Sequence, residues 1–407
     1  MGFITAFAGA RDAYQVPLAL YENELLTKLV TDFYSPSAGA YLGRKISALE
    51  KLNVRHLEGL PSSKTKSILE CLIYKYINSE FTNSSILSPN QLMQNEQNIL
   101  SKSALDLAVK TNSNLLLYAG YAYEAFRSSL SDGIIKGVFQ YHPHIQLSSE
   151  ILRRDLQCYP QLNNSTLRLK EDEKDETNAY ELTRADFIIC NSTFTARSIE
   201  YIGVSSEKIH VVPYGIDIFD QDLLINTSNS DETCNFLFVG SGIHRKGLHH
   251  LLQAWEQSAL PNAKLTIVSR RIDAEIVKLI SSNNVDILLD KTNSQLKDIF
   301  RNSHIFILPS LVEGFGYVYL EALSQGCYCI GTNNTGFPDI QCPDYAGALV
   351  EAGNIDSLSQ AIINAFQLFD NKGIDKFSIQ AFARQKSWDV FRNSVSNICQ
   401  IFETYKQ

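Results

Sequence analysis

The stretch 304-HIFILPSLVEGFGYVYLEALSQGCYCIG-331 decides the fold. His304–Leu308 and Tyr328–Gly331 are short apolar runs, and Tyr317–Ser324 between them carries a helical pattern. Two apolar strands joined through a helix form a crossover unit, so the strands run parallel in a sheet covered on both faces. In open sheets of this kind ligands sit beyond the carboxyl ends of the strands. The loop from Pro309 to Gly316 is therefore the first place to look for chemistry.

The same alternation extends in both directions. Downstream of a polar stretch at Asn226–Thr233, strands are expected at Phe236–Val239, Lys264–Val268 and Val285–Leu288, with helices at Leu248–Gln257, Asn293–Arg301 and Ile355–Phe369. Upstream, Phe3–Phe7, Leu29–Phe33, Leu115–Ala119, Gly137–Tyr141, Asp186–Cys190 and Ile209–Val212 read as a second strand series. Gln15–Lys28, Ala40–Leu52 and Gln91–Lys110 read as its helices. The polar stretch is a linker by composition. The expected organisation is an N-terminal domain over 1–213, a C-terminal domain over 214–387, and a final helix over 388–407. Both domains are of the Rossmann type, doubly wound α/β, and face a central cleft.

A chain of 407 residues fits two such domains better than one core. The net charge of −8 argues against a nucleic-acid partner, because phosphate contacts need clustered cations. The N-terminal MGFITAFAGARD lacks a basic leader and reads as a first strand. No apolar run approaches the ~20 residues that span a bilayer. A cytoplasmic setting is expected, with peripheral membrane contact left open. Cys327 and Cys329 read as core thiols, since no zinc-type partners flank them.

Four loops that follow strands carry candidate site residues. In the first, Glu313-Gly314-Phe315-Gly316-Tyr317-Val318 precedes the helix bearing Glu321. Free amides where a helix starts suit an anion such as a diphosphate. Two carboxylates more than a helical turn apart suit different hydroxyls of one elongated polar ligand. In the second, Gly240-Ser241-Gly242 leads to Arg245-Lys246-Gly247, a pair of cations able to offset the charge of a leaving diphosphate. The third, Tyr141-His142-Pro143-His144, offers His142 to a hydroxyl or a proton, and His144 to a turn. In the fourth, Gly9 would permit close backbone approach of a ligand, while Arg11 and Asp12 read equally well as a surface turn. The Asp220–Asp222 pair lies outside any strand end and implies no metal.

At these residues the sequence resembles the retaining glycosyltransferases of family 4 (glycosyl transferases group 1), which have the GT-B fold. Glu313 and Glu321 with the Glu-Gly-Phe-Gly start carry the likeness. Phe238-Val239-Gly240, Arg245-Lys246-Gly247, Val212-Pro-Tyr-Gly-Ile-Asp217 and Thr335-Gly-Phe-Pro-Asp339 support it. The resemblance implies a hexose-type sugar moved from a nucleotide-sugar donor to a saccharide or lipid-linked acceptor. It assigns Glu321 to the ribose, Glu313 to the transferred sugar, and Arg245, Lys246 and the amides of Phe315–Val318 to the diphosphate. His142 falls near the sugar and Gly9 beside the phosphates, and the helix from Trp388 crosses back to the first domain. Neither cofactor nor metal is implied. Ser241, Ser269-Arg-Arg271 and Leu288-Leu-Asp-Lys291 depart from the family pattern, leaving UDP against GDP open. Two rivals stand beside this reading: a non-catalytic nucleotide-binding subunit, and a phosphorylase or epimerase on a related scaffold.

Overall fold

The computed structural model describes residues 1–45, 50–71, 88–162, 173–217 and 233–404. The expected linker at Asn226–Thr233, save its last residue, and the Asp220–Asp222 pair lie outside the described residues, as does part of the helix expected over Ala40–Leu52.

Two parallel sheets organise the chain. The first has the order β3-β2-β1-β4-β5-β6-β7. Its strands are β1 (Phe3–Ala6), β2 (Leu26–Thr31), β3 (Thr65–Ser67), β4 (Asn114–Tyr118), β5 (Lys136–Gln140), β6 (Phe187–Cys190) and β7 (Ile209–Val211). The second has the order β10-β9-β8-β11-β12-β13. It comprises β8 (Cys234–Val239), β9 (Ala263–Ser269), β10 (Val285–Leu289), β11 (Ile305–Leu308), β12 (Tyr328–Thr332) and β13 (Gly347–Val350). Central strands such as FIIC of β6 and IFIL of β11 are buried at every position. Helices on both faces demand such continuously apolar strands.

Strand order reverses between β1 and β4 in the first sheet and between β8 and β11 in the second. Loops diverge at such switch points and leave a crevice at the carboxyl ends. The loops after β1, β5, β8 and β11 are the four that the sequence singles out.

Several boundaries differ from the sequence reading. The first helix covers Gln15–Glu22 and stops before Asn23, Glu24 takes a left-handed φ of 60°, and β2 begins at Leu26, earlier than Leu29. Helix propensity extends to Lys28, but pairing Leu26 and Lys28 with β1 fixes the turn. The edge strand β3, with sequence TKS, and the edge strand β13 were not anticipated. The helix Ile145–Cys158 was also unanticipated; it follows β5 and is capped by the His144 ring, which accepts from the Gln146 amide at 3.4 Å.

Two large apolar cores match the two sheets, and segments of the chain from each lobe reach into the other's core. The final helix, Trp388–Thr404, buries Trp388, Phe391, Val395 and Cys399 in the core of the first sheet. Trp388 stacks on Tyr317 at 5.9 Å, while Tyr214 packs against both Trp388 and Phe315. In the other direction, Leu162 of the segment after Ile145–Cys158 is buried in the second core. The lobes also meet through polar groups: Thr193 N donates to both oxygens of Asp339, at 3.1 and 3.0 Å, and Arg197 Nη2 donates to Asn333 O at 2.9 Å.

Truncating Trp388 to alanine removes the aromatic hub of this crossing. Large-to-small core changes of this size cost about 3–5 kcal/mol. Urea unfolding followed by circular dichroism is expected to show the first transition moved to lower denaturant; an unchanged midpoint contradicts the bracing role.

Candidate active site

The second sheet builds most of the site. After β8, His244–Lys246 form a single tight turn, and Gly247 follows with φ 68°. A Cβ at Gly247 would stand 2.0 Å from Pro309 O, so only glycine lets this turn lie against the loop after β11. Backbone and side chain then lock the two loops together. Leu311 N donates to Arg245 O at 3.0 Å, and Arg245 Nη1 donates to Val312 O at 2.8 Å.

Glu313 lies at the junction and is 9% exposed. Its Oε2 accepts from Arg245 Nη1 at 2.8 Å and from the ammonium of Lys246. Burial pushes this carboxyl up, but Lys246 and then Arg245 outweigh burial and leave it near about 2. Glu313 is thus ionised, and half of its acceptor capacity is committed to two cations.

From the opposite lobe, His142 stands just beyond β5, its ring 4.4 Å from that of Tyr141. His142 keeps an exposed surface at this junction; the protein crowded around it lowers its imidazole below the usual range, Glu313 opposes the shift, and Arg245, Arg11 and Lys246 reinforce it. The imidazole is neutral at pH 7 and faces the Glu313 cluster. The lobes approach closely here, since a Cβ at Gly314 would lie 2.3 Å from Tyr141 O. Ser192 Oγ also donates to Gly314 O.

Beyond Glu313 the loop turns at Gly316, φ 81°, into the helix Val318–Ser324. This helix begins one residue later than Tyr317. Among the described residues the amides of Phe315, Gly316, Tyr317 and Val318 donate to no acceptor. Glu321 lies in the first turn of this helix, and burial raises its carboxyl. Arg245 and Lys246 pair with Glu313, not with Glu321.

Two sequence-level expectations need correction. The amide of Gly242 is occupied: it donates to Arg271 O at 2.8 Å and to Ser269 Oγ at 3.2 Å, and a Cβ there would meet Ile272 at 2.7 Å. This glycine serves loop packing, and its N–H is not open to a phosphate. The second concerns Arg11 and Asp12, which do not form a plain surface turn. The Arg11 guanidinium lies over the Tyr141 ring at 4.5 Å, and its Nε has no partner among the described residues. Asp12 accepts from Tyr118 Oη at 2.6 Å, and burial raises its carboxyl to about 7. Asp12, Ala13 and Tyr14 all have left-handed φ, at 41°, 48° and 63°. No glycine or asparagine marks this run in the sequence, so nothing there announced it. Gly9, φ 89°, donates its amide to Asp32 Oδ1 at 3.0 Å.

Glu313, Arg245 and Lys246 thus form one ion cluster, and their charges, with that of Arg11, act on His142. Residues 220–378 match the family "Glycosyl transferases group 1". The match spans about two-fifths of the chain and most of the second lobe.

Similarity to individual curated proteins covers about half of the chain. A GDP-mannose-dependent monoacylated alpha-(1-6)-phosphatidylinositol monomannoside mannosyltransferase from Corynebacterium glutamicum is 30% identical over 54% of this chain and 63% of its own length. An uncharacterized 41.2 kDa protein in the cps region of Klebsiella pneumoniae is 26% identical over 54% of this chain and 62% of its own. The chain thus spans about three-fifths of these curated relatives. Among solved structures, the sucrose-phosphate synthase of Thermosynechococcus elongatus superposes with a TM-score of 0.65 at 14% identity, over 99% of this chain and 100% of that one. Anabaena Alr3699/HepE in complex with UDP and glucose gives 0.60 at 15% identity, covering 98% of this chain and 99% of that one. These likenesses establish the GT-B fold.

Asp12 yields a pH prediction. Its folded carboxyl is raised above the unfolded value of 3.8, so the native state holds the proton more tightly. That stabilisation is complete below the unfolded value and is lost as pH rises through about 7. Asp12→Asn keeps an acceptor for Tyr118, tolerates the left-handed backbone and cannot ionise. Its melting temperature is expected to exceed wild type at pH 8, with the difference shrinking at pH 5; a pH-independent difference contradicts the buried-carboxyl reading.

Proposed function

We propose that this protein is a retaining glycosyltransferase that moves a hexose-type sugar from a UDP- or GDP-sugar to an acceptor hydroxyl in glycan or polysaccharide biosynthesis. The observation that carries the proposal is the Glu313 carboxylate held by both Arg245 and Lys246 in the crevice facing His142. Two cations beside four uncommitted amides suit a diphosphate, which needs charge and directed donors together.

In this reading the donor's diphosphate takes its place against Arg245, Lys246 and the amides of Phe315–Val318. Glu321 holds the ribose and Glu313 the sugar hydroxyls. Neutral His142 hydrogen-bonds the sugar from the first lobe, and Arg11 adds positive charge from that side. As the bond from the anomeric carbon to the phosphate oxygen lengthens, charge grows on the leaving oxygen and the cations stabilise it. The acceptor hydroxyl attacks from the same face, and its proton passes to the departing phosphate. Enclosure between the lobes excludes water, which favours transfer over hydrolysis. The acceptor is a saccharide or a lipid-linked glycan, the latter suggested by an Escherichia coli relative named UDP-Gal:alpha-D-GlcNAc-diphosphoundecaprenol alpha-1,3-galactosyltransferase, 28% identical over 40% of this chain and 47% of its own length.

Release of nucleoside diphosphate from UDP- and GDP-hexoses, in the presence of saccharide and lipid-linked acceptors, tests the proposal. Removing one donor from charge stabilisation of this kind costs roughly 100–1000-fold in kcat. Lys246→Ala and Glu313→Gln are expected to fall within that range. Turnover near wild type in both variants, or phosphorolysis without any nucleotide, contradicts it.

A further inference from the structure

We infer that Asp155, His244 and His249 form a structural site for a zinc-class divalent cation that ties the two lobes together behind the phosphate-binding turn. Asp155 projects from the helix Ile145–Cys158, which follows β5 of the first sheet, whereas the histidines belong to the second lobe. Its Oδ2 lies 2.6 Å from His244 Nε2 and 3.0 Å from His249 Nε2. His250 Nε2 lies 2.9 Å from the remaining oxygen, Oδ1. The three rings are buried, and Asp155 is 10% exposed. Tyr159, one turn beyond Asp155, closes the cluster with its ring 4.8 Å from His249 and 5.2 Å from His250.

Charge balance makes this cluster unusual. A carboxylate this enclosed ordinarily pairs with lysine or arginine. Among the described residues, the ionic partners of Asp155 are the three histidines. One carboxylate and three imidazoles thus converge with neither lysine nor arginine pairing to them among the described residues. Imidazole nitrogen and carboxylate oxygen are the donor set that zinc prefers, and a divalent cation would use both. The ligand atoms of Asp155, His244 and His249 lie within 4.8 Å of one another. A tetrahedral ion with bonds of about 2.0–2.1 Å places its ligands ~3.3 Å apart, so small side-chain rotations would bring these three atoms round one ion, with water in the fourth position. No acceptor fixes the Nδ1 atoms of these rings among the described residues, which leaves each ring able to turn its Nε2 lone pair inward. His250 would steady the second carboxylate oxygen, as outer partners orient a metal ligand.

The site is separate from the transfer chemistry. His244 is the first residue of the turn whose next two side chains, Arg245 and Lys246, reach Glu313. An ion at His244 would fix that turn from behind and hold the Asp155 helix against it.

The experiment uses untagged full-length protein, stripped with a chelator, given excess zinc and desalted before elemental analysis. Wild type is expected to retain about one zinc per chain and to melt at higher temperature with the metal. Cobalt(II) in its place is expected to give the intense visible bands of low-symmetry, four-coordinate sites. His249→Ala and Asp155→Asn are expected to lose the retained metal, whereas Cys158→Ser, an exposed thiol beside the site, keeps it. Wild type that retains no zinc overturns the inference whatever the variants do. So does retention by both ligand variants, or loss in Cys158→Ser.

Discussion

The structure depends on one buried electrostatic arrangement: a single carboxylate, Glu313, shared by a guanidinium and an ammonium from a neighbouring loop. Burying Glu313 alone would raise its proton affinity and cost several kcal/mol, and burying the cations alone would cost as much. Together they keep each other charged. The loops that bear them are held by Gly247 against Pro309 and by the Arg245 contacts to Leu311 and Val312. On the proposed function, these two largely buried positive groups would interact with an arriving anion more strongly than at an open surface.

The rest of the fold keeps the two lobes close around this cluster. Tyr141 and Ser192 of the first lobe press on Gly314, Asp339 and Asn333 accept from Thr193 and Arg197, and the Trp388 helix returns to the first core. Each contact is modest. Their common effect is to place His142 and Arg11 opposite Glu313, so that residues from two separate sheets share one electrostatic environment. Glu313, Arg245, Arg11 and Lys246 lie close enough to His142 for their charges to act on it together.

How much of this was legible in the sequence follows from which forces leave a local signature. Strands buried on both faces must be apolar throughout, so β6, β8 and β11 could be read directly, and the loops after β8 and β11 with them. The edge strand β3 is TKS, half-buried and polar, and carries no such mark. The end of the first helix is set by pairing of β2 with β1, a long-range constraint invisible in local propensity. The Arg11–Tyr14 turn lacks the glycine or asparagine that usually announces left-handed backbone, so its position over Tyr141 had no precursor in the sequence. Gly242 looked like a phosphate-facing glycine, but the Ser269–Arg271 segment claims its amide. The histidine cluster depends on Asp155, far from His244 in the chain, and no spacing rule connects them.

The central claim is that Arg245 and Lys246 are held ready for a diphosphate. Isothermal titration of wild type and Lys246→Ala with a nucleoside diphosphate, and with the same nucleoside lacking phosphates, tests it most directly. A lost charge-assisted contact is worth about 1.5–3 kcal/mol. The account predicts that the diphosphate binds roughly 10–100-fold more weakly to the variant while the nucleoside binds both proteins alike. Equal losses for the two ligands, or no loss for the diphosphate, would contradict it.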